Sequence, residues 1–209
     1  MASRENQNSQ IPPEILLKAY RMGIFPMGGE EEISWFSPDP RGIIPLDSFR
    51  LPHGLRRALN ASRWEIRVNT RFEEVMRSCA KRSETWIDEC ILNSYVELHA
   101  LGHAHSVETW LDGELAGGLY GVQVGAAFFG ESMFHRVTDA SKVALHALVC
   151  ILQGCHFELL DIQWTTDHLK QFGAIDISRR EYLVRLKAAI KAHVLFPKQG
   201  EYTLPIENR

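Results

Sequence analysis

The sequence predicts an α+β fold: a mixed, mainly antiparallel sheet flanked by helices, preceded by a small N-terminal domain. Two observations carry this. From residue 64 onward, period-two and period-3.6 hydrophobic patterns follow one another as strand, two helices, three strands, helix, strand, helix. Before that point the chain is broken by Pro38, Pro40 and Pro45, which exclude a long helix. The expected division is therefore a loop-rich domain over 1–60 and a main domain over 61–209.

Each element has a local reason. Residues 1–10 read as a frayed terminus. "PPEILLKAYRMG" places proline at a helix start, apolar residues at Ile15, Leu16, Ala19 and Tyr20, and Gly23 as a stop. "GGEEE" is a polar turn, and "ISWFSPDPRGIIPL" is extended. "WEIRV" alternates as a strand, and "RFEEVMRSCAKR" and "DECILNSYVELHALG" have helical spacing, the second ended by Gly102. "HSVETWL" and "ELAGGLYGVQ" are strands joined by an Asp112-Gly113 turn, with "AAFFGESMF" as the third antiparallel strand. "DASKVALHALVCILQG" is a helix with Asp139 as N-cap and Gly154 as stop. "ELLDIQW" is a strand, "DHLKQFG" a short helix and "REYLVRLKAAIKAH" a basic final helix.

Composition narrows the function classes. With 45% hydrophobic and 23% charged residues in 209, the chain is an ordinary globular sequence. No apolar run approaches the roughly 20 residues of a membrane helix, and the polar start lacks a signal peptide's apolar core. A cytoplasmic protein without membrane partners is expected, its four cysteines reduced thiols with no CxxC pair. Net charge is −3, unevenly spread: nine Arg/Lys against three Glu in 50–82, three against thirteen Asp/Glu in 83–177, and seven against three in 178–209. Basic stretches flanking an acidic middle suit one polyanionic and one cationic partner; solvated faces are the plainer account.

Glu131 stands alone inside the apolar run "FFGESMF", and a buried carboxylate must be paired, neutralised or used. Asp161 and Gln163 lie two apart on a strand, so both are expected on one face, converging with Glu131 on a cleft. Two carboxylates and an amide can bind an amine and take its proton. Structural pairing with Arg136, Lys142 or Arg179 is the competing account. Leu145, Leu148 and Leu152 form one helical stripe that, with Leu119, Phe128 and Leu160, either lines an apolar cavity or is core. Trp35 and Trp86 sit near turns, where an indole can stack on a base or simply pack. His99, His103 and His105 lack a fitting fourth ligand, so no metal is expected. GxSxG and the glycine-rich loop of acyl-CoA enzymes are both missing, so no cofactor is expected.

The order of elements is similar to that of the GNAT acyltransferase fold, in which the strands ending near Glu131 and carrying Asp161 splay apart. "SPDPRGIIPL", "LGHAHSVETW", "GGLYGV", "FFGESMF" with "DASKVAL", and "DIQW…DHL…FGA…ISRREYL" together resemble the leucyl/phenylalanyl-tRNA–protein transferase family, in order from about residue 13 to 190. The resemblance implies a cytoplasmic, monomeric aminoacyltransferase. It would move Leu or Phe, with some leakage to Met, from Leu-tRNA or Phe-tRNA to proteins with N-terminal Arg or Lys, feeding N-end-rule degradation. It further implies a catalytic cluster of Glu131, Asp161 and Gln163, and a substrate pocket of Leu119, Phe128, Leu145, Leu148, Leu152 and Leu160. Trp35 and Trp86 would contact the adenosine end. Glu131 would hold that end or the donor's α-amine, and Asp161 would help deprotonate the acceptor, with Gln163 orienting it or relaying the proton. Arg56, Arg57, Arg179 and Arg180 would meet tRNA phosphates. The rival classes are another GNAT-type acyltransferase, such as the enzymes that build peptidoglycan bridges, and a non-catalytic tRNA- or degron-binding module.

Overall fold

The computed structural model describes residues 10–29, 32–60, 64–82 and 85–204. Proline at the first helical position suits α1 (Pro13–Arg21), which buries Leu16, Leu17 and Tyr20 and ends at Gly23, φ +71°. A two-stranded ribbon follows, β1 (Phe25–Met27) against β2 (Ser34–Phe36). Next come β3 (Arg41–Ile44), a 3₁₀ turn at Leu46–Ser48 and α2 (His53–Asn60). The regular part runs β4 (Trp64–Val68), α3 (Phe72–Ala80), α4 (Glu89–Ala100), β5 (Ala104–Leu111), β6 (Glu114–Val124), β7 (Ala127–His135), α5 (Ala140–Gly154) and β8 (Leu159–Gln163). It closes with α6 (Asp167–Lys170), β9 (Ile175–Ile177), α7 (Arg179–Ala189) and β10 (Gly200–Tyr202).

Eight strands form one sheet in the order β10-β4-β5-β6-β7-β8-β3-β9, every neighbouring pair antiparallel except β7 with β8. Asp112 and Gly113, at φ +52° and +83°, make the tight β5–β6 hairpin. Alternation along the strands divides the core between two faces. On one, Leu16, Tyr20, Val75, Ile91, Tyr95, Tyr182 and Leu186 pack on Tyr120, Phe129 and Leu159. On the other, Leu55, Leu145, Leu148 and Leu152 pack on Val107, Leu119, Phe128 and Leu160. So α1, α3, α4 and α7 cover one face, and α2 and α5 the other.

Three local expectations change. Arg41–Ile44, in the Pro-rich first sixty residues, is a strand of the large sheet lying between β8 and β9. Flanking prolines are compatible with so short a strand, because four residues between them suffice to pair. Asp139 does not cap α5: it sits at φ +69°, makes no capping bond, and holds Lys142 at 2.8 Å instead. The sequence also gives no clear sign of α2, whose only fully buried apolar side chain is Leu55.

Candidate active site

The parallel pairing of β7 and β8 runs from Ala127–Leu159 to Phe129–Asp161 and then stops, because both strands change course at that level. On β7 the register with β6 slips between Tyr120 and Gly121, leaving Glu131 as the extra residue of a bulge. On β8 Gln163 takes φ +58°, and the Trp164 N–H donates to the Ile162 carbonyl at 2.7 Å, closing a γ-turn. A cavity of about 100 Å³ opens there, with Leu119, Met133, Leu145, Leu148, Leu160, Ile162 and Leu169 as its apolar lining and Glu131 and Gln163 among its polar groups.

Glu131 is half-buried at this cavity. Its Oε1 accepts from the Tyr20 hydroxyl at 2.8 Å and from Gln163 Nε2 at 3.3 Å. The Tyr20 hydroxyl is itself hydrogen-bonded to that of Tyr95. Burial raises the carboxyl from an ordinary 4.5 to about 8; the Tyr20 hydrogen bond opposes the shift, and the charge of Asp161 adds to it. The direct donors are neutral groups, and their pull toward the ionised form is outweighed by burial.

Asp161 is a correction to the sequence reading. The expectation was that Asp161 and Gln163 face the cleft together. Asp161 is instead 0% exposed, is bonded to Arg41 and to Tyr182 of α7, and does not line the cavity. Two-residue spacing implies a shared face only while the strand stays extended, and the γ-turn at Gln163 breaks that condition. Asp161 Oδ1 accepts from Arg41 Nε and from the Gln163 N–H, both at 2.9 Å. Its Oδ2 accepts from Arg41 Nη2 at 2.7 Å and from the Tyr182 hydroxyl at 2.6 Å. Arg41, 1% exposed, also donates Nη1 to the Gly23 carbonyl at 2.9 Å. Its guanidinium lies over the rings of Phe25 and Tyr182, 4.9 and 4.5 Å from their centroids.

Among the six expected pocket residues, Leu119, Leu145, Leu148 and Leu160 line the cavity, whereas Phe128 and Leu152, both 0% exposed, are core behind it. Tyr120, Gly130, Ser132, Met133, Ile162 and Leu169 also line it and were not foreseen. Trp35 is exposed on β2, Trp86 is half-buried and its carbonyl receives the Gly28 N–H, and neither lines the cavity. Arg56 and Arg57 are exposed on α2 and Arg179 and Arg180 on α7, so the two pairs sit on helices that cover opposite faces. Arg179 is tied to the Ser37 carbonyl and to Asp39. The anticipated alternative partners of the two carboxylates pair elsewhere as well: Arg136 with Glu74 and Lys142 with Asp139.

Tyr20, Tyr95, Arg41 and Tyr182 also went unforeseen. Tyr20 and Tyr95 had the helical spacing of core residues, and each lies far from its partner in the chain. His99 stacks on Phe72, and His105 stacks on Phe196, its pKa lowered by burial to about 4. Among the described residues no three His, Cys, Asp or Glu gather as a metal site, and none of the four cysteines is in a disulfide. No helix among those residues is long and apolar enough to cross a membrane.

The family model described as leucyl/phenylalanyl-tRNA protein transferase matches residues 43–187, and that of its N-terminal domain matches residues 9–39. A leucyl/phenylalanyl-tRNA–protein transferase of Paramagnetospirillum magneticum is 53% identical over 197 residues, covering 91% of this chain and 94% of that protein. A protein of the same name from Akkermansia muciniphila is 52% identical over 190 residues, covering 88% and 98%. Among solved structures, L-PGS from Bacillus licheniformis is 12% identical with a TM-score of 0.42, covering 78% of this chain and 56% of that one. That likeness is too slight to argue from.

Proposed function

This chain belongs to the leucyl/phenylalanyl-tRNA–protein transferase family, and on that premise we propose how it acts. It is an aminoacyltransferase that carries Leu or Phe, and Met less well, from aminoacyl-tRNA to the α-amine of proteins beginning with Arg or Lys. It works as a cytoplasmic monomer with a GNAT-like catalytic domain, and its products feed N-end-rule degradation. The observation that carries this reading is the meeting of a small apolar cavity with a carboxyl whose pKa is about 8. The cavity takes the donor side chain. An α-amino group titrates at about 8 as well, so Glu131 and the acceptor amine are matched for proton exchange near neutrality.

The ester of aminoacyl-tRNA is already activated, so no acyl-enzyme is required. With Glu131 ionised, the acceptor ammonium passes a proton to it, and the neutral amine attacks the ester carbonyl. Glu131 releases that first proton to solvent; as the C–N bond forms it takes the nitrogen's second proton, and as the ester C–O bond breaks it hands this one to the leaving ribose oxygen. Gln163, whose Nε2 donates to Glu131, keeps its carbonyl oxygen to accept from the amine and orient it. Juxtaposition of amine and ester supplies much of the remaining acceleration. Asp161 acts indirectly, because its lone pairs are committed to Arg41, Tyr182 and the Gln163 N–H.

The −10 charge of residues 83–177 attracts the cationic acceptor. Arg56, Arg57, Arg179 and Arg180 serve tRNA phosphates, and Trp35 and Trp86 the terminal adenosine. Incubating the protein with charged Leu-tRNA and an Arg-starting peptide tests the reading. Leu-Arg product is expected. Transfer to an acceptor lacking N-terminal Arg or Lys points to another acyltransferase, and tRNA binding without product to a binding module.

A further inference from the structure

Gln163 occupies a backbone conformation that L-residues avoid. A non-glycine residue at φ +58° within a γ-turn is strained, and such sites persist only where the surroundings over-determine them. The surroundings here are specific. The Gln163 N–H is fixed at 2.9 Å by Asp161 Oδ1, so the carboxylate that anchors the turn sits directly behind it. That carboxylate cannot swing away, because Arg41 grips both of its oxygens and Tyr182 holds Oδ2. Arg41 is in turn fixed by the Gly23 carbonyl and by the rings of Phe25 and Tyr182. The assembly joins α1's end, β1, β3, β8 and α7, and all of it lies outside the cavity.

We propose that Arg41 and Tyr182 are positioning residues for transfer: they lock Asp161 as a brace that sets the γ-turn at Gln163 and so aims its carboxamide at the acceptor amine beside Glu131. Neither side chain lines the cavity; both act through Gln163. A bidentate guanidinium–carboxylate pair has the directionality this needs, which a lysine in the same place would lack. Burial also pushes the Tyr182 hydroxyl well above its ordinary range, so it remains a donor to Asp161. The proposal rests on the reading in which Gln163 handles the substrate amine, and its test separates the two.

The test compares the full-length wild type, Tyr182→Phe, Gln163→Ala and the double variant, and measures kcat, KM for Leu-tRNA and amide hydrogen exchange over residues 159–166. Tyr182→Phe is expected to lower kcat at least tenfold and leave the Leu-tRNA KM within twofold, while exchange over 159–166 accelerates. In the Gln163→Ala background the same change should cost less than twofold in kcat, because the group it positions is gone. Arg41→Lys, which keeps the charge and loses the fork, should follow the same pattern and replaces Tyr182→Phe if that variant fails to fold. An unchanged kcat, unchanged exchange, or equal fold-losses in both backgrounds each overturns the proposal. A wild type that makes no Leu-Arg product refutes the functional reading instead, and the exchange measurement still decides whether the brace holds the turn.

Discussion

Asp161 and Glu131 are two acidic side chains on adjacent strands with opposite surroundings. Asp161 is fully buried and receives four hydrogen bonds, two of them from a guanidinium. Glu131 is half-buried at an apolar cavity and receives its bonds from a phenol and an amide. A guanidinium fork and two further donors make one carboxylate a rigid fixture. Neutral donors plus burial leave the other free to change protonation near neutral pH. Proton chemistry belongs to the second and geometry to the first.

The largest effect should follow Glu131→Gln. General acid–base groups contribute typically about 10²- to 10⁴-fold, so transfer should fall at least a hundredfold. The ratio of wild-type to variant kcat/KM should rise with pH through about 8 as Glu131 ionises, the acceptor amine's own titration cancelling in the ratio. A ratio that stays flat with pH would remove Glu131 from proton handling.

Asp161→Asn should hurt differently. It leaves Arg41 buried without its counter-charge, and breaking a buried pair costs about 3–5 kcal/mol, so Tm should drop markedly. Transfer should also fall, while Leu-tRNA binding to the protein that remains folded stays close to wild type. Wild-type turnover at neutral pH would separate the brace from the reaction altogether.

Stability against pH gives a third contrast. An acid raised in the folded state binds its proton more tightly there than in the unfolded chain. Stability from Glu131 is therefore fully present below about 4.5 and declines as pH climbs to about 8. Relative to Glu131→Gln, the wild-type melting temperature should fall across that window. Parallel melting curves at all pH values would show that Glu131 is not shifted.

Subtler effects probe the cavity and the tRNA footprint. Leu148, 1% exposed, is both core and cavity lining. Leu148→Phe should shorten the cavity and lower kcat/KM for Phe more than for Leu. If only overpacking operates, about 1–3 kcal/mol of stability is lost and the ratio stays fixed. Replacing Arg56 and Arg57, or Arg179 and Arg180, by Ala should flatten the salt dependence of tRNA binding by up to about two counterions per pair. A pair that leaves the slope unchanged lies outside the footprint, and the tie of Arg179 to Asp39 makes the α7 pair the weaker contributor.

Local pattern determined much of this protein. Periodicity and turn chemistry sufficed for the main helices, for the β5–β6 hairpin with its left-handed Asp112 and Gly113, and for the Leu145–Leu148 stripe that reaches the cavity. They also singled out Glu131, because one carboxylate in an apolar run is conspicuous without any structure. Tertiary structure alone decided the rest. Arg41 and Asp161 lie 120 positions apart, and Tyr20 and Glu131 111 apart, so no spacing rule links them. The extended-strand assumption behind pairing Asp161 with Gln163 failed at one dihedral angle, and Asp161, which anchors that turn, is itself locked by groups from β3 and α7. Period reports which way a side chain points while the backbone stays regular. Where long-range hydrogen bonds bend the backbone, only the assembled fold shows the direction.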